Sequence, residues 1–163
     1  MKKHNNLSNL VHKIKQAPQF LQPWLLTKLF GGAIKFAGTA GVRVEQLDPE
    51  QSVLTLKNRR RVQNHIGGVH AAAMALLGES ATGFLVGIHV PDDRIPLLKS
   101  MHIDYTKRAT GDLKAVASLT TEQIQFITQQ EKGEVQVSVV ITDTAQIEPI
   151  QATFVWAWVP KKR

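Results

Sequence analysis

Between Arg61 and Asp92 the chain carries a single formal charge, the carboxylate of Glu79. Most of this run, from about Val69 to Val86, is rich in alanine and leucine and predicts a long helix. Its apolar residues lie on nearly all sides of that helix, so the rest of the fold must enclose it. A charge near its centre would be expensive in lipid, which argues against a transmembrane helix.

The chain ahead of this run predicts two helices. Apolar residues at helical spacing from Leu7 to Ile14 indicate a short amphipathic helix. A second apolar helix begins at Pro23, and Gly38 is expected to end it. Together they form a helical N-terminal extension, residues 1–38, which is expected to cover a hydrophobic face of a domain formed by residues 39–163.

From Gly41 onward the apolar period changes to two. The segments "GVRVEQL" and "SVLTLK" alternate on either side of Asp48-Pro49-Glu50, so a hairpin is expected. About four more strands are expected after the long helix, with a short helix among them, where Thr120 and Gln123 have capping-box spacing. This order predicts an α+β domain in which a curved antiparallel β-sheet is wrapped around a long central helix.

Composition narrows the functional classes. The 163 residues suffice for one domain with a packed core, and the lack of cysteine removes thiol nucleophiles and thiolate metal sites and suits a cytoplasmic location. The net charge of +7 predicts an affinity for anions. Nucleic-acid binding is not expected, because the basic residues are dispersed and not interleaved with aromatic ones. Contact of the basic N-terminal helices with a membrane surface remains an alternative.

The string "NHIGGVHAAAMALLGESATG", followed some twenty residues later by "HIDYTKRATGDL", is similar to a known pattern. With the order of elements, it resembles the hotdog-fold thioesterases, in particular the phenylacetate-pathway-like branch and its uncharacterised relatives. The resemblance covers roughly residues 41–159. It implies a hotdog fold and the hydrolysis of an acyl-CoA thioester, with no metal and no cofactor.

Glu79 is the first candidate catalytic residue. A buried carboxylate finds a partner, takes a raised pKa or faces a cavity. At helical spacing its neighbours include Ala75, Thr82 and Gly83, which would leave room for a water or a substrate atom. The resemblance implies that Glu79 is either the general base or the nucleophile. A salt bridge to a lysine or arginine of a strand is the alternative.

A second group of candidates lies where the long helix begins. The first amides of a helix have no internal partner, so the Ala71 amide can donate to a carbonyl oxygen that gains negative charge. His70 positions the substrate, or only holds the loop through a backbone hydrogen bond. Asn64 orients water or the carbonyl, or shapes an Asx turn ahead of Gly68, which the resemblance places against the substrate. Related thioesterases commonly have two glycines after this histidine, whereas Ala71 and Ala72 narrow the space here.

His70 and Glu79 are nine residues apart, so on one helix they point to roughly opposite faces, about 13 Å apart along the axis. One chain can hardly bring both to the same thioester. If they cooperate, the second residue comes from another subunit across a two-fold axis. We therefore expect a homodimer, or a tetramer made of two dimers.

Four basic residues are candidates for holding the phosphates of coenzyme A, since arginine and lysine bind such groups. They are Arg59, Arg60, Lys107 and Arg108. An ordinary solvated surface is the alternative for each of them. A different class of function is also left open, a non-catalytic hotdog module that binds acyl-CoA or lipid. The dehydratase branch is not expected, because its proline-rich loop after a histidine is not found.

Overall fold

The structure is a computed structural model that describes residues 5–162, so the first four residues of the predicted extension lie outside the described part. The helices are α1 (Asn6–Lys15), α2 (Gln22–Ala33), α3 (Lys35–Ala40), α4 (Ala71–Gly87) and α5 (Thr121–Gln129). The strands are β1 (Arg43–Leu47), β2 (Gln51–Leu56), β3 (Arg94–Tyr105), β4 (Leu113–Ser118), β5 (Gly133–Asp143) and β6 (Ile150–Pro160). Two short 3-10 turns, Gln19–Leu21 and Arg60–Val62, complete the described elements.

The strands form one antiparallel sheet in the order β1-β2-β4-β5-β6-β3. Helix α4 packs against β2, β3, β4, β5 and β6. Its side chains facing the sheet, such as Leu77 and Leu85, are fully buried. The predicted α+β arrangement, a sheet around a long apolar helix, is therefore confirmed.

The N-terminal helices cover part of α4 that the sheet leaves open. The Asn5 side chain begins α1 by accepting from the Ser8 amide, and its Nδ2 donates to the carbonyl oxygens of Gly87 and Val90 beyond the end of α4. In α2, the Phe30 ring stacks on Phe84 of α4 with centroids 4.2 Å apart. These contacts agree with the covering role expected of the extension.

The prediction of one continuous second helix ending at Gly38 is wrong. The backbone leaves the helical region at Ile34 (φ −109°, ψ 87°), and α3 then runs until Gly41 ends it with φ +80°. The bend brings Gly38 so close to α2 that a Cβ atom on it would lie 2.4 Å from the Gly31 carbonyl oxygen. Apolar spacing continues through the bend, and so the sequence pattern did not reveal it.

Gly38 of α3 and Gly32 of α2 allow a matched test of the close packing between these two helices. Gly38→Ala should lower the free energy of unfolding by about 1–3 kcal/mol, because its methyl group meets backbone that cannot move aside cheaply. Gly32→Ala, where a Cβ meets nothing within 4 Å, should be neutral or stabilise by up to about 1 kcal/mol. Urea unfolding of both variants measures the difference, and equal stabilities would contradict the close approach.

Candidate active site

His70 caps the N-terminus of α4. Its backbone is extended (φ −64°, ψ 143°), and its Nδ1 accepts a hydrogen bond from the Ala72 amide at 3.0 Å. The holding role considered for His70 is thus visible in the structure. Within residues 5–162 the Ala71 amide has no hydrogen-bond acceptor, and Ala71 itself is exposed.

Asn64 forms the loop that leads into this helix. Its Oδ1 accepts hydrogen bonds from the backbone amides of Ile66 (3.1 Å) and Gly68 (3.0 Å). The backbone N–H of Asn64 donates to the Gly68 carbonyl oxygen at 2.8 Å. This is the Asx turn considered as the alternative for Asn64. The turn uses the carboxamide oxygen, and the Nδ2 group has no acceptor in the described part of the chain. Asn64 and Gly68 are therefore held together just ahead of Ala71.

The last residue of β3, Tyr105, contacts the start of α4. The Tyr105 hydroxyl donates to the Ala71 carbonyl oxygen at 3.0 Å, a contact that the sequence analysis did not predict. The loop after Tyr105 carries Lys107 and Arg108, both exposed. A Cβ atom on Gly68 would lie 3.9 Å from the Ala109 carbonyl oxygen, so this basic loop is next to the Asn64 turn. We call Asn64 to Ala72 the amide end of the site.

Glu79 lies elsewhere, on the wall of a cavity of about 200 Å³. The side chain is half-buried, and no lysine or arginine of the described residues forms an ion pair with it. The salt bridge considered as the alternative is therefore not seen. Burial without a cation raises the pKa of the Glu79 carboxyl above its ordinary value.

The cavity beside Glu79 is mostly apolar and is closed by the N-terminal extension. Leu7 of α1 and Phe30 of α2 line it, together with Ile34 at the bend. Gly83 of α4 and Trp156 of β6 line it from the domain. The extension is therefore part of the wall that surrounds the carboxylate.

Ser80 shares this cavity and is a residue that the sequence analysis missed. It is 3 % exposed, and its hydroxyl has no hydrogen-bond partner among the described residues. A buried hydroxyl without a partner is costly, so a ligand atom or a water in the cavity would satisfy it. In the sequence, a serine next to Glu79 in an apolar run was the available signal.

The start of α4 and its middle, where Glu79 lies, face different cavities of one chain. His70 lines a second space of about 200 Å³, which Phe36 and Thr39 of α3 border and which shares no residue with the Glu79 cavity. The structure therefore brings Asn64, Gly68, His70 and Ala71 together but keeps Glu79 apart from them.

The four basic candidates also divide into groups. Lys107 and Arg108 lie beside the amide end, as described above. Arg59 lines a separate open cleft with several residues of α2, α3 and the β1–β2 hairpin, while Arg60 belongs to the exposed 3-10 turn.

Residues 22–159 match the family described as "Domain of unknown function (DUF4442)". The chain belongs to the DUF4442 family. The match includes α2, which lies within the predicted N-terminal extension. The comparison with curated proteins found no match.

Several solved structures share the fold of this DUF4442 protein. One is a protein of unknown function from Pseudomonas aeruginosa, described as a probable thioesterase, with 25% identity, a TM-score of 0.74 and coverage of 85% of this chain and 97% of that one. Another is a thioesterase from Haemophilus influenzae, with 10% identity, a TM-score of 0.68 and coverage of 85% and 90%. A mutant thioesterase from Pseudomonas aeruginosa has 16% identity, a TM-score of 0.68 and coverage of 83% and 94%. The predicted hotdog fold is confirmed.

Two further properties hold for residues 5–162. None of the described helices is long and apolar enough to cross a membrane. No group of three or more histidine, aspartate or glutamate side chains in this part of the chain is placed to hold a metal ion.

The raised pKa of Glu79 predicts a pH-dependent stability. The fold favours the protonated carboxyl, so ionisation of Glu79 destabilises it as the pH rises through the raised pKa. Glu79→Gln, which stays neutral, should be more stable than the wild type at neutral pH, and the gain should vanish below the pKa of an unfolded glutamate. Thermal unfolding at several pH values measures this, with Glu131→Gln, at an exposed position, as control. An equal effect of both variants would contradict the assignment.

Proposed function

We propose that this DUF4442 protein is an acyl-CoA thioesterase whose site combines the amide end of one subunit with Glu79 of another. The observation that carries the proposal is Glu79 itself, a half-buried carboxylate without an ion pair in the described residues, on the wall of an apolar cavity. The thioesterase descriptions of the structural neighbours support the same reaction class.

The reaction follows from the chemistry of these groups. A water oxygen attacks the thioester carbonyl carbon while Glu79 takes the water proton, or the carboxylate attacks directly and water hydrolyses the resulting anhydride. The carbonyl oxygen gains negative charge, and the Ala71 amide donates to it. Asn64 and His70 hold the loop and the helix start in position. In the first route the C–S bond then breaks, and the leaving thiolate takes the proton that Glu79 accepted from water. In the second route the C–S bond breaks as the anhydride forms, the thiolate takes a proton from solvent, and hydrolysis of the anhydride regenerates Glu79.

Strand β3 supports the subunit arrangement. It is an edge strand that pairs with β6 and with no other strand of the described residues. Four of its side chains are exposed apolar or aromatic groups, each 40–51 % accessible: Ile95, Leu97, Met101 and Tyr105. A long apolar edge is a template for pairing with another chain. A homodimer formed along β3, which two such dimers could extend to a tetramer, is part of the proposal, as is the cytoplasmic location.

The volume of the Glu79 cavity favours a substrate with a small acyl group. A volume of about 200 Å³, at roughly 30 Å³ for a group the size of a water or a methylene, holds about six or seven non-hydrogen atoms. Its lining is largely apolar, so we propose a short aliphatic chain or a single aromatic ring. The polar groups facing the acyl moiety are then Glu79 and Ser80.

Mixed dimers test the two-subunit site. Glu79→Gln should lower kcat by about 10²–10⁴-fold. Ala71→Pro should also inactivate, because proline at the first helical position removes the amide donor yet fits the helix, and His70 already has the extended backbone that precedes proline. Random mixing of the two inactive proteins should restore about a quarter of the wild-type activity, since half of the dimers regain one of two sites.

The matched control is Ala71→Gly, which keeps the amide and should stay active. No recovery in mixed dimers, purified through a different affinity tag on each variant, would contradict the shared site. Tight acyl-CoA binding by a wild type that releases no thiol would favour the non-catalytic module instead.

Chain-length selectivity tests the acyl cavity. The wild type should hydrolyse acyl-CoAs with about six or seven non-hydrogen acyl atoms fastest, measured as kcat/KM over a panel from acetyl to palmitoyl. Ile34→Ala removes part of the wall and should move the optimum to longer chains. Phe20→Ala, at a residue 80 % exposed and outside the cavity, should leave the profile unchanged. The same profile for all three proteins would show that the extension does not bound the acyl group.

A further inference from the structure

A large open cleft of about 840 Å³ lies between helices α2 and α3 and the β1–β2 hairpin. It is distinct from the two cavities along α4 and is four times the volume of either. Five cationic side chains line it: Lys28, Lys35, Arg43, Lys57 and Arg59. No aspartate or glutamate of the described residues lines it. We call this the basic cleft.

Most of this positive charge is uncompensated. The Arg43 Nε atom lies 3.0 Å from Glu45 Oε1, whose carboxylate also accepts from the Thr55 hydroxyl. Among the described residues, the other four cations of the cleft form no ion pair with a carboxylate. Like charges gathered on one concave surface repel each other and focus a positive potential that attracts anions.

Apart from the five cations, few bulky side chains line the cleft. Four glycines line it, and at Gly32 a Cβ atom would meet nothing within 4 Å. Lysines and arginines around a surface without bulky side chains suit phosphate groups, which arginine binds through two parallel hydrogen bonds and lysine binds as a point charge. The several cations spread over the cleft suit a ligand with more than one phosphate.

We propose that the basic cleft binds an anion that carries two or more phosphate groups. Thr39 lines both this cleft and the cavity that contains His70, so the two spaces adjoin. Two sources of the phosphates share this chemistry: the nucleotide end of a coenzyme A thioester that lies at the amide end, or a separate nucleotide. The first source rests on the proposed function, whereas the cleft as an anion site does not.

The proposal can be tested by placing a carboxylate in the cleft through a substitution at Gly32. Isothermal titration calorimetry of adenosine 3′,5′-bisphosphate should show binding that weakens as salt increases. Gly32→Glu adds a negative charge without a steric clash and should weaken this binding by about tenfold or more. The matched control is Gly32→Gln, which has nearly the same shape without the charge and should bind more tightly than Gly32→Glu. No binding by the wild type at low salt, or equal binding by Gly32→Glu, would overturn the proposal.

Hydrolysis then identifies the source of the phosphates. With the coenzyme A end in the cleft, Gly32→Glu should raise KM for an acyl-CoA but not for the matching acyl-pantetheine, which has no nucleotide. With a separate nucleotide, bisphosphate binding is lost in Gly32→Glu while KM for the acyl-CoA is unchanged. Both results keep the anion site. Failure to hydrolyse any thioester would defeat the proposed function alone, because calorimetry measures the cleft independently.

Discussion

The enclosure of α4 is the constraint on which the rest of this structure depends. Almost every side chain of that helix is apolar or small, so it must be covered on several sides at once. On one side, small residues let the sheet come close: Cβ atoms at Gly78 and Gly83 would lie 2.6 Å and 2.4 Å from the rings of Phe154 and Trp156. On another side, Phe30 of the extension stacks on Phe84.

The placement of Glu79 follows from that enclosure. The sheet and the N-terminal helices do not meet perfectly along α4, and the gap between them is the cavity that Glu79 and Ser80 face. Because the same packing removes water from the carboxylate and supplies no cation among the described residues, the pKa of Glu79 rises. A carboxyl held in this way is closer to the affinity for protons that a general base needs at neutral pH. The extension thus bears on chemistry as well as on stability.

Local signals in the sequence were enough to predict most of the elements. The hairpin around Asp48-Pro49-Glu50 and the capping box of Thr120 and Gln123 both depend on neighbours in sequence, and both are present. The start of α4 was placed two residues early, because a histidine cap does not have the usual sequence signature of a helix start. The break between α2 and α3 depends on Gly38 meeting Gly31, a tertiary contact that periodicity does not record.

The same distinction applies to the site. Asn64, His70 and Glu79 could be selected from sequence because they lie within sixteen residues of one another and match a known pattern. Ser80 could not be ranked above any other serine, since what distinguishes it is a missing partner in three dimensions. The basic cleft was beyond reach for a similar reason, as Lys28 and Lys57 are far apart in the chain and only the packing of α2 on β1 brings them together.

The two kinds of space along this molecule are chemically opposite. The Glu79 cavity is small and largely apolar, whereas the basic cleft is wide and cationic and shares its lining residue Thr39 with the space beside His70. A ligand that used both would need a short apolar group, a reactive centre near the amide end and an anionic group beyond it. Within one chain His70 and Glu79 face different cavities, so such a ligand would have to lie across two subunits. The assembly of this family member would then decide which substrates it can accept.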